Sequence, residues 1–147
     1  MPAFPFSYEV EVRYADLDPQ RHVNNAVVFS YFEQARVRYL RQLGLWDGRA
    51  FDEIGVIVAE NAASYKEPIT LTDRVVIEAG VTRMGSKSLL FEYLLRTEAG
   101  KPLVTGRTVL VAYDYRSGTS IPIPEDWRRR ITDFEGDLPE MARPARD

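Results

Sequence analysis

Cysteine is absent from this 147-residue chain, and histidine occurs once, as His22. The lack of cysteine excludes disulfides, thiolate nucleophiles and sulfur-ligated metal sites. One histidine without cysteine also disfavours a zinc site, so we predict no metal and no cofactor. No apolar run approaches the roughly 20 residues of a membrane span, and the first residues show no basic segment followed by an apolar stretch. We therefore predict a cytoplasmic protein without a secretory signal.

The chain also lacks a positive charge excess and the common nucleotide-binding motifs. Its net charge is −3, which disfavours nonspecific nucleic-acid binding. The segment GVTRMGSK, residues 80–87, has Gly-Ser-Lys where a phosphate-binding loop has Gly-Lys-Ser/Thr, and no Gly-x-Ser-x-Gly elbow occurs. These absences exclude a P-loop nucleotide hydrolase. Arg83 and Lys87 in this segment remain candidates for binding substrate phosphates, although exposed hairpin charges usually only interact with water.

What the composition does contain is typical of a soluble globular domain. Hydrophobic residues make up 45% of the chain and charged residues 28%. A chain of this length is most simply one domain with a substantial core. We therefore predict a single domain over residues 1–147, of which residues 136–147 form a loose tail.

One long helix is predicted between Asn25 and Leu43, where apolar residues recur at three- and four-residue steps. Asn24 or Asn25 is a suitable N-cap, and Gly44 is a suitable residue after the end of the helix. The first turns are apolar almost all round. We therefore expect the start of this helix to be deeply buried, with unpaired N–H groups and the positive end of the helix dipole beside it.

The other segments predict an antiparallel sheet and a short C-terminal helix. Alternating apolar residues, proline and glycine turns place the strands at Ser7–Tyr14, Ile54–Glu67, Asp73–Arg83, Ser88–Thr97 and Leu103–Tyr115. The short helix is predicted over Ile123–Phe134. The long helix, about 29 Å, matches strands of about 33 Å, so about five strands can wrap around it in an α+β fold. The other face and the edges of the sheet then need cover, which predicts a homo-oligomer.

A polar turn, residues 16–24, precedes the long helix and holds two carboxylates. Asp18 is followed by Pro19, which restricts the backbone at Asp18, and Asn25 follows at the helix start. With a carbonyl group between them, the carboxylate could attack the carbonyl carbon or activate water, and the free backbone N–H could polarise the carbonyl oxygen. No nearby acid would protonate an alkoxide or amine leaving group. A thiol, with a pKa of about 8.5, needs little such help, so the arrangement favours thioesters. The alternative is an ordinary turn closed by an Asx cap.

Neighbouring polar residues also have two interpretations each. His22 is either a hydrogen-bonded turn residue or a group that orients substrate or water. Glu33 and Arg36 are spaced for an ion pair on one helix face, which we favour over a role for Glu33 in the site.

The segment RYADLDPQRHVNNAVVFSYFEQAR, residues 13–36, resembles the hotdog-fold acyl-CoA thioesterases, specifically the 4-hydroxybenzoyl-CoA thioesterase-like group. That group has an Asp-x-Asp turn, then usually Gly-His-Val-Asn-Asn, and an aromatic-rich helix with Phe-x-Glu-x-Ala-Arg. The strand and helix order also matches over nearly the whole chain. One departure is Arg21, where glycine is common.

The resemblance implies a hotdog fold and hydrolysis of an acyl or aroyl thioester carried by coenzyme A or an acyl carrier protein. It implies that Asp18 is the catalytic carboxylate and that the Asn25 N–H polarises the thioester carbonyl. His22 is then a supporting catalytic residue, and Asn24, Arg83 and Lys87 are substrate-binding candidates. It also implies dimers with shared active sites, often paired into tetramers.

Two alternatives stay open at this point. One is a hotdog enoyl-CoA hydratase, which is favoured only by a single Asp-x-x-x-His spacing. The other is a non-catalytic sensor that binds acyl-CoA. A hydrolysis assay that releases free thiol distinguishes the thioesterase from both.

Overall fold

The computed structural model describes residues 4–46 and 54–141. Its helices and strands, in chain order, are β1 Phe6–Val10, α1 Asn25–Gln42, β2 Ile54–Tyr65, β3 Val75–Met84, β4 Ser88–Thr97, β5 Pro102–Asp114, β6 Thr119–Ser120 and α2 Glu125–Glu135. A single 3₁₀ turn, Tyr14–Asp16, lies between β1 and α1.

The described strands form one antiparallel sheet in the order β1-β3-β4-β5-β2, and the short β6 pairs with β5. Side chains on β3 alternate in burial, because Val75, Ile77, Ala79 and Val81 lie on the inner face of the sheet. The long helix α1 packs on that face. The antiparallel pairing of the strands and the long helix on one face of the sheet confirm the predicted α+β arrangement.

The centre of the core is a contact between two aromatic rings. Phe32 of α1 stacks on Tyr93 of β4 with ring centroids 4.3 Å apart and planes 3° from parallel. Gly106 of β5 lies beneath Phe32, and a Cβ at this position would overlap the Phe32 ring. The glycine therefore permits the helix to lie close to the sheet, and this close contact fixes the height of α1 above the strands.

The two edges of the sheet differ in length and character. β1 is five residues long, whereas β2 is twelve residues long and pairs on one side only, with β5. Several of its large apolar side chains are exposed: Ile54, Ile57, Val58 and Tyr65. A long edge strand with exposed apolar side chains is a surface that normally pairs with another chain.

The C-terminal helix covers the part of β3 that β1 leaves unpaired. Glu135 Oε2 accepts hydrogen bonds from the Val81 N–H and from the Tyr39 hydroxyl, both at 2.8 Å. The chain then continues along β3, where the Met141 N–H donates to the Met84 carbonyl at 3.3 Å. This part of the predicted tail is therefore hydrogen-bonded to the sheet, and residues 142–147 lie outside the described residues.

Two local predictions differ from the structure. The first strand ends at Val10, because the chain turns into the 3₁₀ turn before the polar loop. The start of α1 is not deeply buried: Asn25 and Ala26 are exposed, and burial begins at Val28. Apolar periodicity identified the helix correctly, but it does not show which turn of a helix projects beyond the sheet.

Candidate active site

The polar turn forms a closed loop that projects Asp18. Leu17 and Val23 pair as an antiparallel bridge, and the Asp18 N–H donates to the His22 carbonyl at 2.9 Å. The Arg21 N–H donates back to the Asp18 carbonyl at 2.9 Å. A further bond, from the Val23 N–H to the Ile69 carbonyl at 2.8 Å, fastens the loop to the segment before β3.

The two oxygens of the Asp18 carboxylate have different surroundings. Oδ1 accepts hydrogen bonds from the N–H groups of Gln20, at 2.9 Å, and His22, at 3.4 Å. Oδ2 accepts no hydrogen bond from any described residue. The loop thus holds one oxygen in place and leaves the other available to a proton donor or an electrophile.

The N-terminus of α1 leaves a backbone donor available beside this loop. The Asn24 side chain caps the helix by accepting from the Ala26 N–H at 2.9 Å. The Asn25 N–H donates to no group in the described part of the chain. Because the positive end of the helix dipole is also here, this N–H is suited to binding a developing oxyanion. The predicted N-cap is confirmed as Asn24.

Asp16, the other carboxylate of the turn, is buried and fully paired. It is 1% exposed, and Tyr31 donates its hydroxyl to Oδ2 at 2.8 Å. Arg13 donates its backbone N–H at 3.0 Å and its guanidinium at 2.9 Å. Burial raises the pKa of Asp16, but the hydrogen bonds from Arg13 and Tyr31 outweigh it and hold the pKa below its usual value. Asp16 therefore anchors the loop to α1 and is not available for chemistry.

Two clefts meet at the Asp18 loop and share Asp18, Gln20 and His22. The inner cleft, about 260 Å³, lies between the loop, the start of α1 and the end of β2. Its remaining residues are Val23, Asn25, Val28, Tyr65, Lys66, Glu67, Pro68, Ile69 and Val104. The outer cleft, about 790 Å³, lies between the loop and residues 70–72.

Tyr65 and Lys66 in the inner cleft are site residues that the sequence did not indicate. The Tyr65 hydroxyl donates to the Asn25 carbonyl at 2.6 Å, which ties the end of β2 to the first turn of α1. They are 40 residues away from the motif along the chain. Their only local signal is the proline that follows, Pro68, which ends the strand.

Most, but not all, of the predicted site residues lie together in one chain. Asp18, His22 and Asn25 line the inner cleft, and Asn24 is adjacent. The His22 ring makes no hydrogen bond with a described residue. Arg83 and Lys87 lie at the β3–β4 turn, where Arg83 Nη1 donates to the Glu140 carbonyl and Lys87 Nζ to Ser120 Oγ. This turn is at the opposite end of β3, about 30 Å along the strand, from the site.

The predicted ion pair on α1 is present. Arg36 Nη2 lies 3.4 Å from Glu33 Oε2, and Glu33 is exposed. Glu33 lines neither cleft, which agrees with an ion pair on the helix surface and not with a role for Glu33 in the site.

The fold defines a class of protein, a hotdog domain, and here its central helix begins beside a loop with an available carboxylate. Residues 12–131 match the Thioesterase-like superfamily, and the chain belongs to this family. The predicted family and enzyme class, a thioester hydrolase, are confirmed at this level.

Two relatives of known sequence are similar to this chain. The acyl-CoA thioesterase YbgC of Haemophilus influenzae is 32% identical over 92 residues, which cover 61% of this chain and 68% of that protein. The uncharacterized protein YsmA of Bacillus subtilis is 29% identical over 119 residues, or 81% of this chain and 80% of that protein.

A solved structure from Thermus thermophilus, a thioesterase complexed with coenzyme A and Zn, has the same fold. It superposes with a TM-score of 0.80 and 38% identity, and covers 93% of this chain and 99% of that one. The predicted hotdog fold is confirmed. Within the described residues, no helix has the length and apolar character needed to cross a membrane.

Proposed function

We propose that the protein is an acyl-CoA thioesterase in which Asp18 initiates hydrolysis and the Asn25 N–H polarises the thioester carbonyl. The observation that carries this proposal is the asymmetry at Asp18. Oδ1 is held by two backbone N–H groups, and Oδ2 is available beside a helix N-terminus whose first N–H is also available. This is the pair of groups that nucleophilic or general-base attack on a carbonyl requires.

Two routes use the same geometry. As a general base, Asp18 removes a proton from water, and the water oxygen bonds to the thioester carbon. As a nucleophile, Asp18 Oδ2 bonds to that carbon itself, and water later hydrolyses the resulting anhydride. In both routes the carbonyl oxygen becomes negative beside Asn25, the carbon–sulfur bond breaks, and the thiolate leaves. Its low basicity explains why no acid is needed at the sulfur.

The inner cleft suits the acyl half of the substrate. Val23, Val28, Ile69 and Val104 provide apolar side chains, and polar groups lie at the loop, at the helix start and at residues 65–67 at the end of β2. Apolar side chains beside the reactive groups match a substrate with an apolar chain or ring attached to one reactive carbonyl. His22 lines both clefts together with Asp18. In this proposal it orients the substrate or the attacking water.

The proposed active form is a homodimer joined through β2, or a homotetramer built from two such dimers. Val58 on this strand is 44% exposed, and Ile54 and Ile57 are exposed beside it. Pairing β2 with its copy would satisfy the open backbone edge and bury these side chains. The site is next to this edge, because Tyr65 at the end of β2 holds the Asn25 carbonyl.

A buried cation supports the same interface. Arg36 is 7% exposed, and its Nη1 is buried without a hydrogen-bond partner among the described residues. It lies beside the Tyr93 hydroxyl, which donates to Thr108 Oγ1, and Thr108 in turn donates to Asn61 on β2. A buried N–H is normally paired, so an acceptor from a second copy would complete this network.

Arg83 and Lys87 remain proposed phosphate ligands only in such an assembly. Within one chain they lie at the far end of the sheet, so a second copy would have to bring them to the substrate. Substitution of each by glutamine, followed by measurement of KM for an acyl-CoA, tests this role.

The test of the function is a panel of acyl- and aroyl-CoA thioesters with a reagent that detects free thiol. We expect thiol release by the native protein and its loss in Asp18→Asn. Tight binding of an acyl-CoA without thiol release would instead indicate the sensor. Hydration of an enoyl-CoA double bond without thiol release would indicate the hydratase.

A further inference from the structure

Arg21 has a backbone conformation that costs energy. Its φ is 67°, and it is the only non-glycine residue with positive φ in the described part of the chain. This left-handed conformation is unfavourable for a residue with a Cβ atom, whereas glycine adopts it without that cost. A large charged residue at a strained position three residues from the available carboxylate of Asp18 points to a function of its side chain.

The Arg21 side chain belongs to the outer cleft. The two clefts share Asp18, Gln20 and His22, and Arg21 lines only the outer one. A thioester extends in two directions from its reactive carbon. If the acyl half occupies the smaller inner cleft, the thiol half extends into the larger outer cleft.

The lining of the outer cleft has the chemistry of a nucleotide site. Tyr14 is 82% exposed and Leu71 is also exposed, so an aromatic ring and an apolar side chain are available for stacking. The Arg21 guanidinium forms no ion pair or hydrogen bond with a described residue. Asp18 is the sole carboxylate among the residues of this cleft, and it is more than 4 Å from the guanidinium nitrogens. Thr70 and Thr72 add hydroxyl groups.

We propose that Arg21 is a carrier-specificity residue: its guanidinium binds a phosphate of the nucleotide half of coenzyme A in the outer cleft, with the adenine ring against Tyr14. This inference rests on the proposed thioesterase function and extends it to the choice of carrier. Guanidinium–phosphate contacts are charge-assisted and strong, and bases stack readily on exposed aromatic rings. An acyl carrier protein presents phosphopantetheine with a single phosphate and no adenosine, so it lacks the 3′-phosphate, the second phosphate of the diphosphate and the adenine contact. The enzyme therefore prefers coenzyme A thioesters.

The decisive measurement compares the same acyl group on three thiols: coenzyme A, 3′-dephospho-coenzyme A and N-acetylcysteamine. We measure kcat/KM for each with the native protein, Arg21→Gln, Arg21→Lys and Tyr14→Ala. Arg21→Gln should lower the ratio of the coenzyme A value to the N-acetylcysteamine value about tenfold, the effect of roughly 1.4 kcal/mol. Arg21→Lys should restore part of it, because the charge is retained. Tyr14→Ala should lower the same ratio.

The same three substrates distinguish the 3′-phosphate of coenzyme A from its diphosphate as the group that Arg21 binds. If Arg21 binds the 3′-phosphate, its substitution leaves the 3′-dephospho substrate unaffected, and if it binds the diphosphate, both nucleotide substrates weaken alike. Arg129→Gln, on an exposed arginine of α2, is the matched control and should leave the ratio unchanged. Arg21→Gly removes the strain and the charge together, so it should match Arg21→Gln in kinetics without a lower Tm.

Calorimetric titration with coenzyme A separates this inference from the proposed function. The Kd for coenzyme A should rise about tenfold in Arg21→Gln even if no tested thioester is hydrolysed. An unchanged ratio and Kd in Arg21→Gln overturns the inference while leaving thioester hydrolysis intact. An equal loss on N-acetylcysteamine thioesters also overturns it, because Arg21 would then act on the acyl half. A drop confined to Arg83→Gln would assign the phosphate to the other end of the sheet.

Discussion

The Tyr31 hydroxyl donates a hydrogen bond to Asp16 Oδ2 across 2.8 Å and so joins the middle of α1 to the loop that carries Asp18. Asp16 and Asp18 are two residues apart and chemically identical, yet one is buried in a network and the other has an available oxygen. The first two predictions use this contrast.

Asp18→Asn should lower kcat by about 10²- to 10⁴-fold if Asp18 is a general base, and by more if it is the nucleophile. The amide oxygen still accepts the N–H bonds of Gln20 and His22, so the fold should persist. Steady-state thiol release measures the loss, and circular dichroism checks folding. Near-normal turnover in this variant would remove Asp18 from the mechanism. Asp16→Asn is the matched control, and loss of activity in that variant alone would reverse the roles of the two carboxylates.

Asp16→Asn should reduce stability in a pH-dependent way. The folded pKa of Asp16 lies below its unfolded value of about 3.9, so its ionised form stabilises the fold above that pH. This contribution is lost as the pH falls through the folded pKa. We expect a cost of about 1–3 kcal/mol at pH 7, measured by urea unfolding, because a buried network loses an acceptor. The difference between native protein and variant should shrink below about pH 4, and a difference that stays constant down to pH 2 would contradict this account.

His22→Asn should lower activity moderately, by less than the loss in Asp18→Asn. The imidazole lines both clefts, but a reaction started by a carboxylate does not require it. The measurement is kcat and KM on one acyl-CoA. Complete inactivity in a folded His22→Asn protein would mean that the histidine, and not Asp18, is the base.

Val58→Lys should convert the oligomer into a single chain of 16.8 kDa and lower activity with it. A charge on the exposed apolar edge of β2 opposes pairing with a second copy. Light scattering at micromolar concentration gives the mass, and thiol release gives the activity. Ser7→Lys, on the opposite edge strand β1, is the control and should leave the mass unchanged. A native protein that is already a single chain would rule out the proposed interface.

Glu135→Ala should destabilise the docking of α2 by about 1–3 kcal/mol, since the Val81 N–H and the Tyr39 hydroxyl lose their shared acceptor. Burial raises the pKa of Glu135, against the lowering effect of these two hydrogen bonds, so its charge is costly at neutral pH. Glu135→Gln keeps an acceptor without that charge and should cost less. Urea unfolding measures both, with Asp133→Ala on the exposed face of α2 as the control. An equal loss in the Gln and Ala variants would mean that the charge itself holds the helix.

Local patterns in the sequence were sufficient to predict the long elements of the fold. The three- and four-residue spacing of apolar side chains placed α1 to within a residue, and alternation placed β4 without error, because these periodicities follow directly from helix and strand geometry. The two-residue strand β6 has too few residues to show a period and was not predicted.

The site divides in the same way. Asp18, His22 and Asn25 lie within eight residues of one another, so the sequence alone placed them in one turn and predicted a carboxylate beside a helix start. Only the tertiary structure decided which carboxylate is available. Asp16 is paired by Tyr31, fifteen residues along the chain, and the loop is held by Ile69, more than forty residues away. Tyr65 and Arg21 acquire their places in the same manner, one through the packing of β2 against α1 and the other through a loop closure that imposes a positive φ. Contacts between distant residues depend on how the elements pack, and a local pattern carries no information about that.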